Sequence, residues 1–135
     1  MSAFADRLKS FEERVLANRD EIRCPVHLSL GAEALFEEIH RLVAPGDWLF
    51  SNHRSHGAYF ARGGSEGSLW DEIRLLPTGI NQGLSGSQSI CDPERHFYAS
   101  AIVGGSIGIA AGAALAERLK DSGNIAIAHF GDAAT

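Results

Sequence analysis

Apolar and charged residues alternate with a helical period along the first segment of the chain. The apolar positions share one face of a helix, and they are Phe4, Leu8, Phe11, Val15 and Leu16. This spacing predicts an amphipathic surface helix over residues 3–19. The segment lacks the uninterrupted apolar core of a signal peptide, so it gives no indication of secretion.

A second helical pattern follows Ser29, whose side chain is predicted to cap the helix. The apolar positions of this helix are Leu30, Ala34, Leu35, Ile39 and Leu42, and they share one face. The turn Ala44-Pro45-Gly46-Asp47 is predicted to end the helix immediately before the next element, a strand.

Two short apolar runs predict buried strands. The first is Trp48-Leu49-Phe50, and it leads into a polar cluster over residues 51–57. The second covers residues 124–130 and is almost entirely apolar, as in strands that helices cover on both faces of a parallel sheet. We therefore predict an α/β fold with a parallel sheet flanked by helices. Because a buried parallel strand needs neighbours on both edges, we expect the sheet to be incomplete at the C-terminus.

The segments between these strands predict a short helix and a long loop. Ser68 and Asp71 form a capping-box signature for a helix over residues 69–76. Residues 78–93 contain glycines and small polar residues without any period. A loop of this length is typical of a functional site rather than of a simple connection.

Residues 104–120 predict a helix of small residues that Ser122-Gly123 ends. Residues 99–116 carry no charge, which raises the question of a membrane span. Their bulk is mostly Ala and Gly, so insertion into lipid would gain little free energy per residue. We expect instead a helix buried among closely packed neighbours.

Composition and charge narrow the range of functions. The 135 residues include 12 Lys and Arg against 17 Asp and Glu, a net charge of −5, without a basic run that could follow a phosphate backbone. Nucleic acid is therefore a poor candidate partner. Cys24 and Cys91 are far apart and have no nearby cysteine, so neither a disulfide framework nor a thiolate metal site is indicated. A reducing, cytoplasmic setting fits this usage best.

Polar residues follow both predicted strands, and ligands bind at the carboxyl ends of the strands in parallel α/β sheets. Asp132 follows Gly131 directly after the second strand, where its carboxylate could hold a hard cation such as Mg²⁺. The alternative role for Asp132 is to cap a following helix through backbone N–H groups.

The cluster after the first strand contains His53, Arg54 and His56. The spacing of the histidines would suit zinc, but no third ligand is evident nearby in the sequence. A second interpretation is an anion site, in which the Arg54 guanidinium and the histidines bind phosphate oxygens. A solvated loop with one salt bridge is the third. The glycines at 104–108 do not match the GxGxxG pattern, which argues against a dinucleotide site.

Six short motifs follow one another along residues 22–135. They are His27-Leu28-Ser29-Leu30-Gly31-Ala32-Glu33-Ala34, Pro45-Gly46-Asp47, His53-Arg54-Ser55-His56-Gly57, Gly86-Ser87-Gln88, Ala101-Ile102-Val103-Gly104-Gly105 and Phe130-Gly131-Asp132-Ala133-Ala134. In this order they resemble the alpha subunit of thiamine diphosphate-dependent 2-oxo acid dehydrogenases, which include the pyruvate, branched-chain and acetoin enzymes. The resemblance implies the thiamine diphosphate-binding fold. Residues 1–135 would be the N-terminal part of a single domain, cut inside its metal and diphosphate motif.

The resemblance also implies roles for individual residues. Arg54 matches an arginine and His56 a histidine that contact the cofactor diphosphate, while His53 replaces the usual tyrosine. Ala101 and Val103 match a backbone segment that contacts the aminopyrimidine ring. His27 matches a histidine on the substrate side of the thiazolium, where it could aid proton transfer. His27 and His56 are therefore the candidate catalytic residues.

The same resemblance assigns a Mg²⁺ ion to Asp132. Gly131 and Ala133 flank it as cofactor-binding positions, and Ala133 stands where the family usually has glycine. The asparagine that closes the family's metal motif would lie beyond Thr135. Ser89 stands where the dehydrogenases have a histidine, so substrate or partner details tied to that histidine do not carry over.

For the complete protein, the resemblance implies oxidative decarboxylation of a 2-oxo acid with transfer of the acyl group to a lipoyl carrier. The implied partners are a beta subunit, which supplies the glutamate that activates the cofactor, and a lipoyl-bearing acyltransferase. Alpha and beta would assemble as a heterotetramer or as a fused chain. We expect the polypeptide of residues 1–135 alone to be inactive. The competing hypothesis is a non-catalytic binding or interaction module derived from this fold.

Overall fold

Residues 2–134, the part of the chain that the computed structural model describes, form five α-helices and four short strands. The helices are α1 (Ala3–Ala17), α2 (Glu33–Leu42), α3 (His56–Ala61), α4 (Glu66–Ile73) and α5 (Gly105–Lys120). The strands are β1 (Trp48–Ser51), β2 (Cys91–Asp92), β3 (Phe97–Ala99) and β4 (Ala126–Ala128). Short 3₁₀ turns lie at Arg19–Glu21, Pro93–Arg95 and Asp132–Ala134.

The strands form one sheet in the order β2-β3-β1-β4. Strand β1 is parallel to β3 and to β4, and β2 is antiparallel to β3. Leu49 of β1 pairs with Phe97 on one side and with Ile127 on the other. Helices flank this mainly parallel sheet, so the predicted α/β fold is confirmed.

Helix α1 confirms the first helical pattern. Ser2 caps it by accepting a hydrogen bond from the Ala5 N–H at 3.2 Å. Leu8, Phe11 and Val15 are buried in the core as the period predicts. Leu16 is 43% exposed, so the apolar face is narrower than the sequence pattern indicates.

The prediction for the second helix is wrong at its start. Helix α2 begins at Glu33, and Ser29 makes no cap for it. Ser29 is buried, and its hydroxyl donates to the Arg54 carbonyl and accepts from the Gly57 N–H, each at 3.4 Å. Ser29 therefore joins its own loop to the segment before α3 and to the first turn of α3, and it does not cap α2.

The face that α2 buries also differs from the predicted one. Phe36 is its fully buried residue, whereas Leu35 is 49% and Leu42 is 71% exposed. The Phe36 ring lies directly against Gly57 of α3. A Cβ at Gly57 would overlap that ring, so the close approach requires glycine at this position. The close approach of α3 fixes which side of α2 faces the core.

Helix α4 begins three residues before the predicted one. Its cap is Ser65, whose hydroxyl accepts from the Ser68 N–H at 3.3 Å. The predicted capping box of Ser68 and Asp71 does not form, because the Asp71 carboxylate accepts from the Thr78 hydroxyl at 2.6 Å instead.

The expectation of a deeply buried small-residue helix is wrong within residues 2–134. Helix α5 buries only Ser106, Ala110 and Glu117 there. A Cβ added at Gly108 or Gly112 would have open space around it. None of the helices in this part of the chain is long and apolar enough to cross a membrane.

Strand β4 is shorter and less covered than predicted. It spans Ala126–Ala128 and, among the described residues, pairs only with β1. All three of its residues are half-buried, so the double coverage by helices is absent here. The sequence pattern also missed β2 and β3, which have only two and three residues.

The predicted long loop is confirmed as irregular structure for residues 78–90, whereas its last three predicted residues form β2 and begin the following 3₁₀ turn. It is ordered by Glu72, a fully buried carboxylate at the end of α4. One Glu72 oxygen accepts from the backbone N–H groups of Ser85 and Gly86 and from the Ser85 hydroxyl, at 2.8 to 3.1 Å. The other accepts from the N–H groups of Asn81 and Gly83 at 2.8 and 3.0 Å. This anchor fixes the path of the loop toward Ser87 and Gln88.

Candidate functional site

A cavity of about 520 Å³ opens at the carboxyl ends of β1 and β4. Its walls come from four segments of the chain: the stretch before α2, the cluster after β1, the turn before α5 and the residues after β4. The lining residues are Leu28, Ser29, Leu30, Ala32, Phe36, Asn52, His53, Arg54, Val103, Gly104, His129, Phe130, Gly131, Asp132, Ala133 and Ala134. The cavity therefore lies at the edge where parallel α/β sheets bind ligands.

Arg54 is the cation of this cavity, and its backbone and side chain are both oriented. The Arg54 N–H donates to the Asn52 side-chain oxygen at 2.8 Å, and Nη1 donates to the Leu28 carbonyl at 2.8 Å. Arg54 is nevertheless exposed, so its guanidinium is accessible from solvent. An oriented, accessible guanidinium is well suited to bind phosphate oxygens.

His53 and His27 lie side by side, with ring centroids 4.7 Å apart in an edge-to-face arrangement. The pKa of His53 is lowered by burial and by the neighbouring His27 and Arg54 groups. At neutral pH the His53 ring is therefore uncharged, and Arg54 supplies the positive charge of the cluster. The side-chain amide of Gln88 hydrogen-bonds Nδ1 of His27 at 2.7 Å.

His56 is placed differently from the other candidates. It is fully buried and does not line the cavity. Its Nδ1 lies 3.2 Å from a Glu12 carboxylate oxygen, and its Nε2 lies 2.7 Å from the Ser87 hydroxyl. This position does not support direct contact between His56 and a ligand in the cavity. The interpretation of His53 and His56 as a zinc pair fails for the same reason.

The segment before α5 contributes Val103 and Gly104 to the cavity. Gly104 has a φ of +73°, and a Cβ there would lie 3.1 Å from the Ala134 carbonyl. This close approach brings the segment against the 3₁₀ turn Asp132–Ala134. Ala101 is exposed and lies outside the cavity lining.

Asp132 is the carboxylate of the cavity, and Gly131 and Ala133 line it on either side. No group of three or more His, Cys, Asp or Glu within residues 2–134 could hold a metal ion by itself. A Mg²⁺ ion needs only one or two carboxylates when phosphate oxygens and water complete its shell. The donor set of the cavity therefore fits Mg²⁺ when the ion enters with a diphosphate.

His129 is a cavity residue that the sequence reasoning missed. Its Nδ1 lies 3.0 Å from the Ser51 hydroxyl, and its ring packs edge-on against Phe36 at 5.1 Å. Burial lowers the pKa of His129, so its ring is uncharged at neutral pH. Its position at the end of an apolar strand was the available signal, because strand ends deliver side chains to this edge.

The fold and the cavity together define a class of protein: an α/β protein whose cavity at the carboxyl ends of two parallel strands is lined by an arginine and a carboxylate. Comparison with known sequences identifies the family. The family described as "Dehydrogenase E1 component" matches residues 5–135. The chain belongs to this family.

Individual relatives agree with the family assignment. The pyruvate dehydrogenase E1 component subunit alpha of Rhizobium meliloti (strain 1021) is 30% identical over 141 residues, covering 96% of this chain and 40% of that protein. The alpha subunit of acetoin:2,6-dichlorophenolindophenol oxidoreductase from Bacillus subtilis (strain 168) is 33% identical, covering 94% of this chain and 39% of that protein. The mitochondrial pyruvate dehydrogenase E1 component subunit alpha of Saccharomyces cerevisiae is 28% identical, with 97% of this chain and 34% of that protein covered. The chain thus spans about 40% of the length of the bacterial relatives.

Proposed function

We propose that this chain forms the cofactor-diphosphate half-site of the alpha subunit of a thiamine diphosphate-dependent 2-oxo acid dehydrogenase. The observation that carries the proposal is the cavity at the strand ends, which Arg54 and Asp132 both line. A guanidinium and a carboxylate are the groups needed to bind a diphosphate directly and through Mg²⁺. Membership of the dehydrogenase E1 component family supports this interpretation.

In this proposal three walls of the cavity each hold one part of the cofactor. Arg54 binds the diphosphate, with neutral His53 beside it as a further hydrogen-bonding group. Asp132 contributes the carboxylate for Mg²⁺, between Gly131 and Ala133. Backbone groups of the segment from Ala101 to Val103, of which Val103 lines the cavity, contact the aminopyrimidine ring.

Thiamine diphosphate, when bound, supplies the chemistry that removes carbon dioxide from a 2-oxo acid. His27 is the proposed proton-transfer residue on the substrate side, because it is half-buried beside His53 near the cavity. The Gln88 amide at 2.7 Å orients the His27 ring. His56 lies beneath these residues and supports them without touching the substrate.

The proposed partners complete the reaction. A beta subunit joins this alpha-type chain and provides the glutamate that activates the cofactor, and a lipoyl-bearing acyltransferase accepts the acyl group. Names of relatives that include "subunit alpha" support a second subunit. The free thiols of Cys24 and Cys91 fit a reducing, cytoplasmic setting.

The experiment that tests this function uses the full-length protein together with its beta subunit. Calorimetric titration with thiamine diphosphate, with and without Mg²⁺, should show saturable binding that requires the ion. A 2-oxo acid should then release carbon dioxide and reduce lipoamide. Absence of cofactor binding in the assembled protein would contradict the proposal and favour the non-catalytic module. Cofactor binding without lipoamide reduction would instead overturn the assignment of the acceptor.

A further inference from the structure

A carboxylate lies on the apolar face of α1, where the helical period predicts a hydrophobic residue. Glu12 is fully buried beside Phe11, whose ring contacts His56 edge-on at 5.4 Å. A buried carboxylate costs free energy unless hydrogen bonds and charge partners compensate it. The partners of Glu12 therefore indicate what it does in the fold.

Glu12 has two partners, and both belong to segments that form the cavity. Its Oε1 accepts from the Ser29 N–H at 2.8 Å. Both of its oxygens lie near Nδ1 of His56, at 3.3 and 3.2 Å. Nδ1 of His56 faces both carboxyl oxygens, so a hydrogen bond joins these two buried side chains.

The second nitrogen of His56 extends the contact to the long loop. Nε2 lies 2.7 Å from the Ser87 hydroxyl, and the Ser87 carbonyl accepts from the Ser55 hydroxyl at 2.6 Å. Glu12, His56 and Ser87 are all fully buried, so water does not compete for these bonds. We call Glu12, His56 and Ser87 the buried relay.

The Glu12 end of the buried relay reaches the Arg54 backbone through two hydrogen bonds, and the Ser87 end reaches His27 through one residue and one hydrogen bond. Ser29, bound to Glu12, donates to the Arg54 carbonyl at 3.4 Å. Ser87 precedes Gln88, whose amide holds Nδ1 of His27 at 2.7 Å. Helix α1 thus connects the anion-binding arginine with the histidine on the substrate side.

We propose that Glu12 is a positioning residue that sets the relative placement of Arg54 and His27 through Ser29, His56 and Ser87. It touches neither cofactor nor substrate. The role of the cavity rests on the proposed function, but the placement of the two side chains does not. A shift in that placement is therefore measurable in the ligand-free protein.

The test uses the full-length protein and compares Glu12→Gln with Glu13→Gln. Glu13 is the next residue of α1, is exposed and is 3.9 Å from Lys9, so its variant controls for the loss of one carboxylate. In Glu12→Gln an amide NH₂ replaces one acceptor oxygen, so the Ser29 N–H and Nδ1 of His56 must share the remaining oxygen or one of them must face the NH₂ group. We expect the NMR signals of the His27 and His53 rings, observed with labelled histidine, to shift without ligand. Glu13→Gln should leave them unchanged.

The affinity for thiamine diphosphate with Mg²⁺ is the second measurement. We expect its dissociation constant to rise about tenfold in Glu12→Gln, since small displacements of charge-assisted partners weaken binding strongly. A lower melting temperature with unchanged ring signals and unchanged affinity would reduce Glu12 to a stabilising residue and overturn the proposal. Failure of the wild-type protein to bind the cofactor would instead contradict the proposed function, and the ring signals would still decide the role of Glu12.

Ser87→Ala is the variant that decides the question if Glu12→Gln does not fold. It leaves the Glu12–His56 pair in place and removes only the last bond of the buried relay. We expect it to shift the His27 signals in the same direction, with a smaller loss of cofactor affinity. Unchanged His27 signals in a folded Ser87→Ala protein would overturn the connection through His56.

Discussion

Arg54 illustrates how one exposed residue of a polar loop acquires a defined direction. The hydrogen bond from its backbone N–H to Asn52 fixes the backbone, and the bond from Nη1 to the Leu28 carbonyl fixes one nitrogen of the guanidinium. Replacing Arg54 with Ala removes the proposed charge-assisted bond to the diphosphate and no contact in the core. We expect cofactor affinity to fall by about one to two powers of ten. Calorimetry of the full-length protein measures the change.

Arg41→Ala is the matched control for this prediction. Arg41 is an exposed arginine on α2 whose partner is Glu38, at 2.8 Å, away from the cavity. Its removal should leave cofactor affinity unaltered, and both variants should melt close to the wild-type temperature. An Arg54→Ala protein that binds the cofactor normally would assign Arg54 a structural role.

Asp132 has two proposed roles that one substitution separates. If Asp132 is the Mg²⁺ ligand, Asp132→Asn should abolish Mg²⁺-dependent cofactor binding in the full-length protein, since a neutral amide is a poor ligand for a hard cation. As a helix cap, the same substitution should be almost silent, because Asn caps about as well as Asp. Asp121→Asn at the end of α5 is the control. Asp121 is exposed with a φ of +54°, a conformation that Asn tolerates well.

At the level of elements, the long loop depends on the charge of Glu72. Burial by itself would raise the pKa of the Glu72 carboxyl, but hydrogen bonds from Gly83, Asn81 and Ser85 outweigh it and lower the pKa from its ordinary value of 4.5. The stability that Glu72 supplies is therefore fully present above pH 4.5 and is lost as the pH falls below that value.

Glu72→Gln should lower the free energy of unfolding at neutral pH by about 1–3 kcal/mol, because its NH₂ group would face backbone N–H donors. Denaturant titration measures this loss, and the gap to the wild type should narrow as the pH falls below 4.5. Exposed Glu94→Gln serves as the control and should change stability little. A gap that stays constant down to low pH would contradict the role of the Glu72 charge.

Replacing a helical glycine with alanine should have opposite effects on stability at two positions. Gly57→Ala places a methyl group into the Phe36 ring where α3 crosses α2, and should destabilise the protein by about 1–3 kcal/mol. Gly67→Ala on α4 meets nothing nearer than the Ser65 hydroxyl at 4.0 Å, and should stabilise it by about 0.5–1 kcal/mol. Chemical denaturation of both variants measures the pair. A tolerated Gly57→Ala would show that the helices can separate at this crossing.

At the scale of the whole molecule, the described residues supply only part of the proposed cofactor site. The cavity has a single Asp or Glu among its lining residues, and it opens at an edge strand of the sheet. We expect a polypeptide of these residues alone to bind thiamine diphosphate weakly or not at all. Calorimetric titration with cofactor and Mg²⁺ measures this, with the full-length protein as the reference. Saturable micromolar binding by a monomer of the short polypeptide would contradict the expectation.

The sequence predicted what local periodicity determines. The spacing of Leu8, Phe11 and Val15 predicts helix α1, and the apolar run at Trp48 predicts strand β1. The polar residues after the strands predict a ligand site at that edge of the sheet. The arrangement of His56 could not be predicted in this way, because its partner Glu12 lies 44 residues earlier in the chain. The prediction that Ser29 caps α2 is wrong for the same reason, since Ser29 binds the buried Glu12 carboxylate of α1, which is distant in the sequence.

The two walls of the cavity differ in how firmly the sheet holds them. Arg54 follows β1, which has a hydrogen-bonded strand on each side, whereas Asp132 follows β4, which has one on a single side within residues 2–134. Opening an edge strand breaks fewer bonds, so backbone amides near β4 should exchange with solvent hydrogen sooner than those of β1. A ligand bridging both walls would slow exchange mainly at β4. The segment that carries Arg54 would thus be ordered before the ligand binds. The conformational entropy lost on binding would come mainly from the segment that carries Asp132.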